Sequence, residues 1–114
     1  NHMSNLEKLF AAWTCGICDD GIKLVNPVYL NALDNRGITN VNHMTKLQKL
    51  NANGLSCGID NNGIRFINLV ELHARNNADI TNVNHMSNLR ILNAGYDRGI
   101  DDNGIKDLKL ETLM

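Results

Sequence analysis

A heptapeptide recurs intact in this chain: Ile-Thr-Asn-Val-Asn-His-Met fills residues 38–44 and again residues 80–86. Its last three residues also stand at Asn1-His2-Met3. Between the copies runs a second recurring string, Ile17-Cys18-Asp19-Asp20-Gly21-Ile22, then Ile59-Asp60-Asn61-Asn62-Gly63-Ile64, then Ile100-Asp101-Asp102-Asn103-Gly104-Ile105. Each string returns after about 42 residues and the two alternate, so the underlying unit is about 21 residues. A fixed period of that length belongs to stacked-repeat architectures. One unit alone cannot bury its apolar face; stacked units make a continuous core.

Aligned on their first apolar position, the units begin near Leu6, Pro27, Leu47, Leu69 and Leu89, with a partial sixth at Leu110. Three residues on comes Leu9, Leu30, Leu50, Leu72, Leu92 and Leu113. Two further on comes Ala11, Ala32, Ala52, Ala74 and Ala94. After a short polar stretch comes Ile17, Ile38, Ile59, Ile80 and Ile100, with a one-residue insertion in the third unit between Ala52 and Ile59. Leu and Ala two apart face the same side of a short strand. The Ile must point back into the same interior, so the chain turns before it. Strands are expected near 8–11, 29–32, 49–52, 71–74 and 91–94, stacked in register as a parallel sheet. The DDNG-type outer segments are expected to hold single helical turns near Asn61–Ile67 and Asp102–Leu108, with Asp or Asn capping the start. The NHM-type segments read as loops or 3₁₀ turns.

Three residues before each Ile stands a short polar side chain: Thr14, Asn35, Ser56, Asn77 and Asp97. Such a column would satisfy backbone groups left open where the chain leaves the strand. It accounts for part of the nineteen Asn better than catalysis does. The glycines just before the Ile (Gly16, Gly37, Gly58 and Gly99) are expected to serve turns with unusual backbone angles.

Composition narrows the function. A net charge of -1 gives no general pull toward nucleic acid or anionic membrane. Aromatics at 4% are too few for a base-stacking platform. No apolar run reaches membrane-span length, and no signal-peptide pattern opens the chain. Three cysteines are an odd number and too few for a disulfide scaffold, which favours a reducing, intracellular compartment.

On the Leu-x-x-Leu-x-Ala…Ile units, the chain resembles the leucine-rich repeat proteins, over nearly its whole length. The Ile59–Ile64 string and its counterparts resemble the cysteine-containing repeats, and the Ile-Thr-Asn-Val segments resemble the shorter internalin-like repeats. The resemblance implies one α/β solenoid domain over 1–114. That solenoid would be a right-handed superhelix with a parallel concave sheet and a convex side of irregular or short helical segments. It also implies partner binding on the concave face and no reaction.

Cys15-x-x-Cys18 lacks two further zinc ligands, and Cys57 lies two rungs away, about 10 Å at strand spacing. Cys15 and Cys57 are equivalent positions and read as packing residues; a metal or redox role for the Cys15/Cys18 pair is the alternative. His2, His43 and His85 recur with the repeat and read as turn residues. Asp19-Asp20 and Asp101-Asp102 read as solvated turns, calcium being the alternative. No nucleophile–base pair, phosphate-cradling loop or cofactor motif is present, so no cofactor and no metal site is expected.

The flanking positions of each strand would line the concave face, in columns Lys8, Tyr29, Lys49, Glu71, Ile91 and Phe10, Asn31, Asn51, His73, Asn93, with Ala12, Leu33, Asn53, Arg75, Gly95 beyond and Trp13, Asp34 and Tyr96 at the rim. The candidate partner-binding residues are Phe10, Trp13, Tyr29, Lys49, Glu71, His73, Arg75 and Tyr96, since Tyr, Trp and Arg most often carry interface energy. The expected function is a non-catalytic scaffold binding a protein. The alternative is a self-associating array, or a fragment of a longer one, that forms a homo-oligomer through uncapped terminal repeats.

Overall fold

A computed structural model describes residues 7–13, 17–95 and 99–114 of the chain. It is a parallel-strand solenoid. The strands are β1 (Lys8–Phe10), β2 (Tyr29–Asn31), β3 (Lys49–Asn51), β4 (Glu71–His73), β5 (Ile91–Asn93) and β6 (Thr112–Leu113). They form one six-stranded sheet in sequence order. Register is constant: Leu9 pairs with Leu30, Leu30 with Leu50, Leu50 with Leu72, Leu72 with Leu92 and Leu92 with Leu113. The parallel ladder runs past each strand end through the Ala position, as in Ala32 N–H to Asn51 O at 2.8 Å and Ala52 N–H to His73 O at 2.7 Å.

One core runs the length of the stack. Leu30, Leu50, Leu72 and Leu92 are fully buried, as are Ala11, Ala32, Ala52, Ile38, Ile59 and Ile80. Behind them the outer segments contribute Val41, Met44, Val83 and Met86. The conserved spacing of these apolar positions within the chain is what sets strand register, because a slip of one residue would turn every Leu outward.

Helix is scarcer than an α/β architecture requires. Among the described residues it amounts to α1 (Asp19–Ile22), α2 (Asp102–Ile105) and one 3₁₀ turn at Asn62–Ile64. The side chains of the outer segments explain this, because they bond to neighbouring rungs instead of within their own. Asn42 Nδ2 donates to the Asn62 carbonyl at 2.8 Å, and its Oδ1 accepts from Phe66 N–H at 2.8 Å. His43 Nε2 lies 2.8 Å from the Ile22 carbonyl one rung back. Met44 then fills the core. The Asn-His-Met string is thus a clamp to both neighbours, and Asn84, His85 and Met86 repeat it. The clamp joins unlike rungs, which is why the sequence repeats over two units. Asp60 and Asp101 accept from Gly63 and Gly104 N–H at 2.8 and 3.2 Å and start their turns. α1 begins without a side-chain cap because Cys18 stands in that position.

Two expectations about the turns need correction. Gly37, Gly58 and Gly99 do not have positive φ; among the described residues only Gly54 and Gly95 do. What excludes a side chain at Gly58 and Gly99 is neighbouring backbone: a Cβ would meet the Arg36 and Ala78 carbonyl oxygens at 2.5 and 2.6 Å. The Asp19 carboxylate is also not a solvated turn residue. It accepts from Thr39 N–H at 2.8 Å, from Asn40 N–H at 3.2 Å and from the Thr39 hydroxyl, stitching α1 to the next rung.

Candidate binding face and the strand-exit cleft

Each of β1 to β5 buries its central Leu and turns its two flanking residues outward, whereas Leu113 of β6 is exposed. No other element covers that side of the sheet among the described residues. The register brings Lys8, Tyr29, Lys49 and Glu71 into one column and Phe10, Asn31, Asn51 and His73 into the next. Phe10 and Tyr29 meet edge to face, with ring centroids 5.6 Å apart and planes at 63°. That arrangement suits the ring quadrupoles. Glu71 sits between a histidine and a lysine, with Oε2 2.6 Å from His73 Nε2 and Oε1 3.9 Å from Lys49 Nζ. A shallow groove of about 650 Å³ runs over Lys8, Phe10, Tyr29, Lys49 and Glu71, bounded also by Glu7, Val28 and Gln48, and His73 lies outside it.

The Asn residues of the second column do different work. Asn31 Oδ1 accepts from Leu33 N–H at 3.1 Å and Asn51 Oδ1 from Asn53 N–H at 3.0 Å. They turn the chain out of the strand. By contrast Tyr29, Lys49, Glu71 and His73 make no side-chain hydrogen bond to the main chain among the described residues. Their polar groups are not spent on the fold.

Of the other sequence candidates, Arg75 is exposed and its stem lies over Gly95, where a Cβ would approach Arg75 Cγ to 3.2 Å. Trp13 does not join the sheet-face group. It lies past the end of β1 in a separate cleft with Asp34, Arg36 and Ser56. Tyr96 and Cys15 lie outside the described residues. Sequence columns missed Arg36 and Ser56, because the chain has already left the strand there and strand periodicity says nothing of them. The signal for this corner is the residue two after each inward Ala: Trp13, Asp34, Gly54 and Asn76 all have positive φ.

Among the described residues no three His, Cys, Asp or Glu side chains are grouped to hold a metal ion. Among the described residues no helix is long and apolar enough to cross a membrane. Burial pushes the Cys57 thiol up to about 11, helped by the charges of Asp34 and Asp79 and opposed by a backbone hydrogen bond at Ile59. The thiol therefore stays protonated at neutral pH and is a poor nucleophile or metal ligand. Comparison with known proteins finds no family model, no curated protein and no solved structure that matches this chain.

Proposed function

We propose that the chain is a leucine-rich-repeat solenoid that binds a protein partner across its exposed sheet face, without catalysis. The family reading rests on Leu-x-x-Leu-x-Ala in the units of β1, β3, β4 and β5, with Pro27 for the first Leu in that of β2, and on the buried Asn35, Cys57 and Asn77 that follow β2, β3 and β4, a pattern in which the Asn or Cys bonds the backbone of the stacked rungs. The binding reading rests on one contrast. Off the sheet face, the side chains of Asp19, Asn42, His43, Asn61, Asn77 and Asn84 are committed to the backbone of neighbouring rungs, whereas Phe10, Tyr29, Lys49, Glu71 and His73 form an uncovered patch with no side-chain bond to the main chain among the described residues. Aromatic anchors beside a charged group are the usual carriers of interface energy.

The test is quantitative affinity capture from extract of the source cells with three forms of the chain. These are the unmodified protein, a sheet-face variant (Phe10→Ser, Tyr29→Ser, Glu71→Lys) and an outer-face variant (Leu24→Ser, Phe66→Ser). The reading requires a partner lost by the sheet-face variant and kept by the outer-face variant. Loss with the outer-face variant alone, or retention by both, would contradict it.

A further inference from the structure

We infer that the cleft at the strand exits is a binding site for an organic ammonium group, the side-chain cation of a lysine or methylated lysine. The cleft encloses about 380 Å³ and is lined by Trp13, Asp34, Arg36 and Ser56. That volume accepts one long side chain and sits at the small end of ligand pockets. It lies beyond β1 and β2, off the sheet face, so this inference stands or falls separately from the partner reading above.

The first ingredient is an exposed indole held in place. Trp13 is 64% exposed, and its backbone is in the left-handed region at φ 68°. Bulky residues avoid that region unless the surroundings impose it, and such positions gather at ligand contacts. Here the imposing element is the ladder, since Trp13 N–H donates to the Leu33 carbonyl at 2.5 Å. The equivalent positions in later rungs carry Asp34, Gly54 and Asn76, all of which enter the left-handed region more readily.

The second ingredient is a carboxylate fixed one rung away, about 4.8 Å at strand spacing. Asp34 has φ 52°, and its Oδ1 accepts from Ser56 N–H at 3.1 Å. Gly54 makes room for it: a Cβ there would overlap Asp34 Oδ1. Among the described residues, Asp34 Oδ2 accepts no hydrogen bond, and Arg36 forms no ion pair with Asp34 although both line the cleft. The carboxylate is therefore held through one oxygen and has no ion-pair partner.

A carboxylate with a free oxygen beside an exposed indole attracts an ammonium group twice, through the carboxylate's charge and through the ring face, for which Trp is the strongest partner. An anion would meet Asp34. A neutral apolar ligand would strand the carboxylate without a partner. Arg36 opposes a cation, so removing its charge should help binding.

Trp13 is the chain's single tryptophan, so its emission reports on this cleft. The full chain is titrated with Nα-acetyl-lysine methylamide, with its Nε-trimethyl form and with the neutral Nα-acetyl-norleucine methylamide. Saturation-transfer NMR on the ligands provides a second readout. Both cations should bind saturably with dissociation constants of order millimolar, as befits ligands this small, and the norleucine compound should not. Asp34→Asn preserves both the backbone angle and the acceptor for Ser56, and should weaken binding about tenfold. Arg36→Gln should tighten it, and Trp13→Gly should abolish the NMR signal. Equal binding of the norleucine compound, unchanged affinity in Asp34→Asn, or no response to either cation by both readouts would overturn the inference.

Discussion

Cys57 Sγ lies 3.4 Å from the carbonyl oxygen of Ala32, inside the core and one rung away. Asn35 and Asn77 make the corresponding contact, donating from Nδ2 to the Ala11 and Ala52 carbonyls at 2.6 and 2.9 Å. The amides do more. Asn77 also reaches the Ile59 carbonyl at 3.0 Å and accepts from Asp79 N–H at 3.0 Å. Asn77→Ala would leave those buried groups without partners and should lower stability by about 2–4 kcal/mol. Cys57→Ala removes one weak donor and a small apolar volume and should lower it by about 1 kcal/mol. Urea unfolding with matched slopes measures both, and equal losses would show that the ladder is not amide-based.

The same thiol gives a pH signature. Its folded value of about 11 lies above the ordinary 9.0, so the folded state holds its proton where the unfolded state has released it. That contribution is fully present below pH 9 and is lost as pH rises toward 11. The unmodified chain should therefore lose roughly 1–3 kcal/mol more stability across that window than Cys57→Ala. Parallel pH–stability curves for the two proteins would show that burial does not hold the proton on.

Gly63 carries a different constraint. A Cβ there would run into the Thr39 carbonyl of the preceding rung, which is backbone and cannot swing aside. Gly63→Ala should cost at least about 2 kcal/mol, against the few tenths' gain expected of an ordinary Gly→Ala change in a helical turn. Thermal unfolding of the variant reads this directly.

The sheet-face charges should matter little to stability. Lys49→Gln and Glu71→Gln alter a partly exposed pair 3.9 Å apart and should change unfolding free energy by about 0.5 kcal/mol or less. Leu72→Ala, on the buried side of the same strand as Glu71, should cost about 2–5 kcal/mol. If the Gln variants are as damaging as the Leu variant, the face is structural and not free for a partner.

The solenoid was legible because Leu, Ala and Ile recur at positions that strand geometry alone turns inward. The columns Lys8–Tyr29–Lys49–Glu71 and Phe10–Asn31–Asn51–His73 followed from the same periodicity. Of the ladder, Asn35 and Asn77 were legible and the third unit was not, while Thr14 and Asp97 lie outside the described residues. In the third unit the inserted residue throws Leu55 out to 88% exposure and brings Cys57, not Ser56, to the Ala32 carbonyl. Local spacing cannot say which of two neighbours turns inward around an insertion. The clamps of Asn42, His43 and Asp19 were not legible either, since each bonds to a residue about twenty positions away whose backbone direction the sequence does not give. The rim position of Trp13 and Asp34 was legible, but their cleft with Arg36 and Ser56 was not, because it follows from a backbone turn to positive φ at Trp13, a residue type that rarely adopts it.

The most direct test of the central claim is site-specific photocrosslinking in extract of the source cells, with benzoylphenylalanine replacing Tyr29 on the sheet face or Phe66 on the outer face. Both side chains reach solvent and neither holds the core, so both variants should fold. The account predicts a discrete adduct with another protein from position 29, removed by Glu71→Lys, and none from position 66. Adducts from position 66 with none from position 29 would contradict it.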